Sequence, residues 1–311
     1  GCSWNNCCLA SAVSCRFRDA MFGLVLLDKP PGLTSRAAVN RVQKLVKPEK
    51  VGHAGTLDPI ATGLLVVCLG RATRLVPHLH AFSKTYVAEF LLGCTSVSDD
   101  VESEVVPLAA PPRLTDADIE RALPAFRGRI QQVPPLHSAV HVQGRRAYKM
   151  ARRGAEIELP AREVEIQRLE LKAFAPDRIT LEMDCSSGTY VRSLGRDLAR
   201  SLGTGGVMSA LRRTRIGPFL VGDSINPELI TPDSLTAALL PPRCVVSDRP
   251  SYTADDREVA QLQVGRAIRP RSELPTGVEI AVCDEGGVLI ALAEQLPDGT
   301  LPPRLVFHAR H

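Results

Sequence analysis

The sequence predicts an α+β protein made of one larger domain and a smaller β-rich domain towards its C-terminal end. Apolar residues alternate with period two in some segments and recur at helical spacing in others, and the two kinds interleave without the regular rhythm of a doubly wound fold. After residue 243 the sequence changes to short apolar runs between turn residues. We therefore expect a larger domain over residues 21–241 and a small domain over 246–311, with residues 1–20 as an extension outside the fold.

Eight segments of the larger domain have the pattern of a strand or a helix. Strand patterns are apolar runs or alternations bounded by turn residues, and helix patterns are apolar residues three or four positions apart after a capping residue. The predicted strands are FGLVLLDKP at 22–30, LLVVCLG at 64–70, KTYVAEFLLG at 84–93, REVEIQRLELKAF at 162–174 and RITLEMDC at 178–185. The predicted helices begin at Thr34 or Ser35, at Thr115 with its capping-box partner Asp118, and at Thr189, which places Tyr190 and Arg192 in the first turn.

Composition limits the class of protein. With 44% hydrophobic and 23% charged residues, and no apolar run long enough to span a bilayer, the sequence is typical of a globular protein in water. Four of the nine cysteines lie in the first fifteen residues and the others are scattered singly, so we expect no disulfide framework, no zinc site and a cytoplasmic location. The net charge of +4, with clustered arginines, permits an anionic partner.

In the small domain we predict strands at 261–268, 278–283, 288–293 and 304–307.

The stretch GHAGTLDPIATGLL at 52–65 combines one acid, one histidine and three glycines in an apolar neighbourhood. Taken alone, Asp58 before Pro59 is best explained as the cap of a short helix, and His53 as a hydrogen-bonded structural residue. The glycines can serve turns, and the Lys-Ser/Thr ending of a phosphate-binding loop is missing. The residues by themselves therefore leave a structural and a catalytic role for Asp58 open.

Several segments together resemble the tRNA pseudouridine synthase B (TruB) family of the bacterial type. GHAGTLDPIATGLLVVCLGRAT at 52–73 is similar to the family signature, and LLDKPPGLTS at 26–35 resembles the element that precedes it. The K-x-Y strand at 84–86, CSSGTYVRSLGRDLA at 185–199 and LRRTRIGPF at 211–219 resemble three further motifs. The resemblance implies the pseudouridine synthase fold, a mixed, largely antiparallel sheet flanked by helices, with a PUA-like RNA-binding domain at 246–311.

The resemblance also implies an activity, the isomerisation of uridine 55 in the T-arm loop of tRNA by a monomer that needs no cofactor, metal or membrane. By match, Asp58 is the nucleophile that attacks a flipped-out uridine, and Arg192 is the cation that keeps it ionised. Tyr86 resembles the tyrosine that stacks on the extruded base, and a part in proton transfer is also open for it. Tyr190 resembles the second tyrosine of the active site, which contacts the target nucleotide. Substrate contacts or support of the site are implied for His53, Lys29, Leu211, Arg145, Arg146 and Lys149.

Basic residues cluster in three places, GRRAYKMARRG at 144–154, LRRTR at 211–215 and the helical series Arg192, Arg196 and Arg200. Beside a nucleic-acid site such groups are expected to contact backbone phosphates. Some positions depart from the family pattern: His137 and His141 stand where tyrosine and lysine are usual, and Cys94 and Val97 where arginine and aspartate are common. These changes bear on packing and RNA affinity more than on the chemistry.

Two other classes of function fit parts of the sequence. A catalytically silent tRNA-binding or tRNA-folding protein fits the changes at His137 and His141, but it predicts a degraded nucleophile motif, whereas Asp58 and its partners are present. A hydrolase that uses Asp58 as nucleophile or general base needs a proton partner, for which His53 is the nearby candidate. We rank the synthase first, the silent binder second and the hydrolase third.

Overall fold

The computed structural model describes residues 21–135, 141–142, 145–146 and 159–307. Its strands are β1 (Gly23–Lys29), β2 (Val51–Ala54), β3 (Thr62–Leu69), β4 (Lys84–Leu92), β5 (Cys94–Ser96), β6 (Val105–Pro107), β7 (Gly128–Gln132), β8 (His141–Val142), β9 (Arg145–Arg146), β10 (Arg162–Ala175), β11 (Arg178–Cys185), β12 (Gly206–Ile216), β13 (Phe219–Leu220), β14 (Ser251–Thr253), β15 (Glu279–Cys283), β16 (Leu289–Glu294) and β17 (Pro303–Val306). Its α-helices are α1 (Ser35–Leu45), α2 (Val76–Ala81), α3 (Asp116–Ala122), α4 (Val191–Ser201), α5 (Pro232–Ala237) and α6 (Asp256–Gln263).

Nine strands form one large sheet with the central order β1-β3-β12-β4-β11-β10-β7. Neighbours along this order are antiparallel except β3 and β12, which run parallel over a short stretch. In addition, β2 pairs with β3 and β13 pairs with β12. The expected mixed, largely antiparallel sheet is therefore confirmed. The parallel pairing of β3 with β12 joins the strand after Asp58 to the strand that carries the LRRTR arginines.

Side-chain alternation divides the apolar residues of the sheet between its two faces. Ala88 and Phe90 of β4 lie with Leu181 of β11 in a core that helices α3 and α4 cover. At the other end of the sheet, β1 and β3 are buried on both faces. Helix α1 covers one face of this pair, and α2 and the C-terminal strands cover the other. A strand buried on both faces needs an uninterrupted apolar sequence, which LLVVCLG at 64–70 provides.

Helices α1 and α3 begin where the sequence predicts. Thr34 is the N-cap of α1 and accepts a hydrogen bond from the N–H of Ala37, while Thr115 and Asp118 form the capping box of α3. The prediction that Thr189 caps α4 is wrong: the N-cap is Tyr190, and the Thr189 hydroxyl donates instead to the carbonyl of Ser186 at 3.0 Å. The short helix that Asp58-Pro59 favours in isolation is also absent, since residues 58–61 form a turn.

The C-terminal residues form a separate four-stranded sheet with the order β14-β15-β16-β17. Three of the four predicted strands are present within two residues of their expected bounds. The strand predicted at 261–268 is wrong, because residues 256–263 form helix α6 behind a capping box of Asp255 and Glu258. A capping box followed by Leu262 facing the core favours a helix over a strand. Among the described residues, no helix combines the length and apolarity needed to cross a membrane.

Lys84, the lysine of the K-x-Y motif, is buried at the start of β4. Its ammonium donates to the main-chain carbonyls of His80, at 2.7 Å, and of Phe82. Burial, with a smaller effect from the cation of Arg213, lowers its pKa to about 8 from 10.5. The folded protein therefore disfavours the charged form of this side chain.

We expect stability to rise with pH because of Lys84. Between pH 8 and pH 10.5 the unfolded chain holds a proton on Lys84 that the folded chain has released, so the free energy of unfolding increases with pH. From about pH 7 to about pH 9.5 the gain should be roughly 2 kcal/mol. Denaturant unfolding of the wild type and Lys84→Met at both pH values measures it. Equal pH dependence in the two proteins would contradict the assignment.

Candidate active site

Asp58 lies on the loop between β2 and β3, and two glycines allow this loop to approach Arg213. Gly55 has a φ of +78°, and a Cβ there would lie 3.2 Å from the Arg213 guanidinium. Gly63 has a φ of +96°, and a Cβ there would lie 2.3 Å from the main-chain oxygen of Arg213. Both positions therefore require glycine, for backbone conformation and for space. This explains the spacing of the glycines around Asp58 without reference to phosphate binding.

Two residues from the LLDKPPGLTS segment hold the Asp58 loop from the opposite side. The buried ammonium of Lys29 donates to the carbonyls of Leu33, at 2.5 Å, and Pro59, at 3.1 Å. The hydroxyl of Ser35 donates to the carbonyl of Leu57 at 2.9 Å and accepts from its N–H at 2.8 Å. Burial lowers the pKa of Lys29, while the carboxylate of Asp58 partly offsets this effect. The residues on both sides of Asp58 are thus fixed to the first turn after β1.

Removing the Ser35 hydroxyl tests this attachment. We expect Ser35→Ala to lower the free energy of unfolding by about 1–3 kcal/mol, because it leaves the buried N–H and C=O of Leu57 without their partner. It should also lower the turnover rate, because Leu57 precedes Asp58. Thr34→Ala is the matched control, since it removes the α1 cap at a cost of about 1 kcal/mol without touching Leu57. Equal activity of the two variants would contradict the proposed positioning.

Arg192 links Asp58 to a second aspartate. One terminal nitrogen of its guanidinium lies 3.2 Å from the Asp58 carboxylate, and the other lies 3.0 Å from the carboxylate of Asp100. The Asp58 side chain is 37% exposed, whereas those of Arg192 and Asp100 are 8% and 1% exposed. The arginine is therefore neutralised from behind by a buried carboxylate and presents its remaining side to a carboxylate that solvent can reach. The ion pair between Arg192 and Asp58 that the resemblance implies is present.

The loop at 97–103 supplies Asp100 and closes over Arg192. The carbonyl of Ser98 accepts from the Arg192 guanidinium at 3.0 Å, and the hydroxyl of Ser98 donates to Asp100. The Asp100 carboxylate also accepts from the N–H of Glu102 at 3.0 Å. Burial and the nearby carboxylates of Asp100 and Asp58 raise the pKa of Glu102. The loop thus fixes the buried carboxylate of Asp100 against the guanidinium of Arg192.

Tyr86 lies on β4 with its ring on the side of the sheet that faces Asp58. Its ring centroid is 6.0 Å from the guanidinium carbon of Arg213, and burial raises the pKa of its phenol. Arg213 is itself 1% exposed and donates to the carbonyls of Leu64 at 2.8 Å and Gly55 at 2.9 Å. A phenol with a raised pKa is neutral at physiological pH.

Tyr190, at the start of α4, is held by residues from two strands. The side-chain amide of Gln132 accepts from the Tyr190 N–H at 2.8 Å and donates to its C=O at 3.0 Å. The guanidinium of Arg162 lies 4.2 Å from the centroid of the Tyr190 ring. The side chain of Tyr190 is partly exposed. The structure thus brings Tyr190 to the same helix terminus as Arg192.

Of the remaining predicted site residues, some are described in the structure and others lie outside the described residues. His53 is half-buried on β2, and burial followed by Arg213 and Arg36 lowers its pKa; its Nδ1 has no hydrogen-bond partner within the described residues. Leu211 is buried in the core beneath the Asp58 loop. The backbones of Arg145 and Arg146 form β9, which pairs with β8, but their side chains and all of Lys149 lie outside the described residues. The changed side chains of His137 and His141 lie outside them as well.

The prediction that the arginine series contact phosphates is wrong for Arg192 and Arg213, which are buried within the protein. Arg196 is also turned inward and pairs with Asp99 and Asp197 at 2.8 Å each. Spacing alone did not distinguish these side chains from solvent-facing ones. The signal for Arg213 is its position two residues after the buried Leu211 in a strand, which places both side chains on one face.

Ser35, Asp100, Gln132 and Arg162 also contact the site, and sequence reasoning missed them. Each acts through a partner far away along the chain, and no local pattern indicates such a pairing. Ser35 is a partial exception. Thr34 alone caps α1, so the adjacent Ser35 hydroxyl could have been expected to bond elsewhere. Within the described residues, no group of three His, Cys, Asp or Glu side chains could hold a metal ion.

Comparison with known proteins gives consistent matches over this chain. Residues 43–191 match the model described as TruB family pseudouridylate synthase (N terminal domain), and residues 192–242 match the tRNA pseudouridylate synthase B C-terminal domain. The chain is 41% identical over 301 residues to tRNA pseudouridine synthase B of Synechococcus sp. (strain WH7803), covering 94% of this chain and 99% of the relative. It is 39% identical over 298 residues to the protein of the same name from Xanthomonas axonopodis pv. citri (strain 306), covering 93% and 94%. Among solved structures, a Cbf5-Nop10-Gar1 complex matches with a TM-score of 0.69 and 27% identity, covering 93% of this chain and 86% of that one.

Proposed function

The chain belongs to the TruB family of tRNA pseudouridine synthases, and from this premise we propose that it isomerises uridine 55 in the T-arm loop of tRNA with Asp58 as the nucleophile. As a member it is an isomerase that forms pseudouridine in tRNA. The position of the uridine, the nucleophile and the extrusion of the base are our proposal. The observation that supports it is the guanidinium of Arg192, 3.2 Å from a carboxylate that solvent reaches and backed by a buried one.

The arrangement around Asp58 suits a nucleophilic carboxylate. Attack requires a carboxylate held in a fixed position. Arg192 places a guanidinium nitrogen 3.2 Å from the Asp58 carboxylate, and Lys29 and Ser35 fix the backbone on both sides. Asp100 matters because it compensates the arginine from behind, so that Asp58 does not have to be the sole counter-ion. Asp58 can then bond to the nucleotide without leaving a buried cation uncompensated.

The proposed reaction exchanges one glycosidic bond for another. Asp58 attacks the extruded uridine and forms a covalent bond to it, the bond from ribose C1′ to N1 breaks, and the uracil turns. A bond from C1′ to C5 then forms, and the bond between Asp58 and the nucleotide breaks, which returns the free carboxylate. The proton on C5 is lost to solvent and N1 ends with a proton, so no electrons are gained or lost overall. This balance requires a proton acceptor for C5 but no redox partner.

We assign the aromatic and imidazole groups to binding the nucleotide. The neutral ring of Tyr86 would stack on the extruded uracil, which offsets part of the few kcal/mol that base extrusion costs. Its raised pKa makes a stacking role better supported than that of a proton acceptor. Tyr190 would contact the target nucleotide from the α4 terminus. His53 would pack into the RNA loop as a neutral imidazole, since its pKa is lowered.

Recognition of the T-arm would depend on loop shape and phosphate contacts. We propose that the small C-terminal domain is a PUA-like module that binds RNA beside the site. Arg145, Arg146 and Lys149 remain our candidates for backbone contacts, because the buried arginines cannot provide them. We further propose that the protein acts as a monomer in the cytoplasm, where unmodified tRNA is found.

Release of tritium from unmodified tRNA labelled at uridine C5 tests the proposal. We expect release of one tritium per tRNA, and none from a transcript in which uridine 55 is replaced by cytidine. Release from both transcripts would contradict the assigned position. Tight tRNA binding without release would favour the silent binding protein instead of the synthase.

A further inference from the structure

Gln132 and Arg162 lie opposite each other on neighbouring strands, and both contact Tyr190. The antiparallel register of β7 and β10 pairs Arg162 directly with Gln132. In such a pair, side chains that point to the same face are separated by only about 5 Å. Two residues that are 30 positions apart in sequence therefore reach one tyrosine together.

Gln132 fixes the main chain of Tyr190. Its amide, in a residue only 1% exposed, accepts from the Tyr190 N–H at 2.8 Å and donates to the C=O at 3.0 Å. Tyr190 is the N-cap of α4, and its side chain makes no capping hydrogen bond. From the neighbouring β7, Gln132 instead pairs with both main-chain polar groups of the N-cap residue itself.

Arg162 fixes the ring. Its guanidinium carbon is 4.2 Å from the ring centroid, a distance typical of a cation–π contact. The same guanidinium donates to the carbonyl of Gly188, which ties it to the turn before Tyr190. Its Nε is buried and has no hydrogen-bond partner among the described residues. The ring contact and the hydrogen bond to Gly188 together fix the guanidinium beside Tyr190.

Docking of α4 onto β7 does not depend on these contacts. The hydroxyl of Ser193 and the guanidinium of Arg196 both donate to the carbonyl of Val133 at 2.9 Å, one turn further along the helix. The helix is therefore anchored to the end of β7 independently of Gln132 and Arg162. Gln132 and Arg162 therefore contribute the orientation of Tyr190 and not the docking of the helix.

We propose that Gln132 and Arg162 are positioning residues that orient Tyr190 towards the target nucleotide, which rests on the proposed function. Gln132 sets the backbone and Arg162 sets the plane of the ring. Neither side chain contacts the reacting atoms. Their effect on the reaction passes through Tyr190.

A double-mutant cycle tests the assignment of Arg162. We expect Arg162→Gln to lower the single-turnover rate of pseudouridine formation about tenfold or more, and to lower it less than about twofold further when Tyr190→Leu is already present. Arg129→Gln is the matched control, because Arg129 lies on β7 with a 76% exposed side chain and should leave the rate unchanged. If the effects of Arg162→Gln and Tyr190→Leu multiply in the double variant, Arg162 does not act through Tyr190 and the inference is overturned.

Gln132→Glu gives a readout that a loss of folding would not imitate. A glutamate carboxylate accepts from the Tyr190 N–H but cannot donate to its C=O, whereas the protonated acid can do both. We expect the rate of this variant, relative to wild type, to rise several-fold as the pH falls from about 8 to about 6. A constant ratio would overturn the role of Gln132. An inactive wild type would overturn the proposed function and this inference with it, whereas an active wild type insensitive to Tyr190→Leu would overturn this inference alone.

Discussion

Asp58→Asn is expected to reduce pseudouridine formation by roughly 10⁴-fold or more while tRNA binding is retained. The amide can still accept a hydrogen bond from Arg192, but it carries no charge with which to attack the nucleotide. The fold should be preserved, because Arg192 keeps its buried partner Asp100 and the backbone contacts of Lys29 and Ser35 do not involve the Asp58 side chain. Tritium release and tRNA affinity, measured on the same preparation, separate the two effects.

Asp177→Asn is the control for this experiment. Asp177 has a 66% exposed side chain and pairs with its neighbour Arg178 at the turn between β10 and β11. Its loss should leave turnover within about twofold of wild type, as expected for an exposed pair. Residual turnover by Asp58→Asn within tenfold of wild type would exclude Asp58 as the nucleophile.

Arg192→Met is expected to have the largest effect on stability. It leaves the carboxylate of Asp100, which is 1% exposed, without its guanidinium partner, at a cost of about 3–5 kcal/mol in the free energy of unfolding. It also removes the cation beside Asp58 and should abolish turnover. The pair of Arg212 and Asp28 is the control, because both side chains are partly exposed and Arg212→Met should cost no more than about 1 kcal/mol.

Adding Asp100→Asn to Arg192→Met should separate stability from activity. The neutral amide removes the uncompensated charge and can still accept from Ser98 and Glu102, so part of the lost stability should return. Turnover should not return, since Asp58 still lacks its cation. Denaturant unfolding and tritium release on the four proteins of the cycle measure both quantities. Additive stability effects would show that Arg192 and Asp100 are not coupled in this way.

Periodic and local signals in the sequence predicted much of the fold. The alternation in RITLEMDC and in KTYVAEFLLG is reproduced by buried residues on one face of β11 and β4, because a sheet covered on that face requires it. The error at 261–268 arose where short apolar runs fit either kind of element. There the capping box of Asp255 and Glu258 was the deciding signal.

For the candidate site, some residues could be identified from the sequence and others could not. Asp58, Tyr86, Tyr190 and Arg192 were identified through motifs. Asp100 and Gln132 were not, because their partners lie 92 and 58 residues away and depend on how the strands pair. Burial also decides which of several arginines is structural: Arg213 and Arg212 are adjacent, yet the strand turns one inward and the other towards Asp28. The spacing of neighbouring residues in the sequence indicates neither which side chains are buried nor which distant residues pair.

The apolar cluster that joins the two sheets affects how the protein unfolds. Ala281, Leu289, Leu292 and Phe307 of the C-terminal part pack with residues of β1, β3 and α2, and the guanidinium of Arg71 donates to the carbonyl of Phe307 at 2.8 Å. We therefore expect the parts on either side of the predicted boundary at 241–246 to unfold together. Calorimetry should show one heat-absorption peak. A chain truncated at residue 245 should expose the apolar surface of this cluster and aggregate. We therefore expect a substitution that loosens this cluster to destabilise the C-terminal sheet and the candidate active site together.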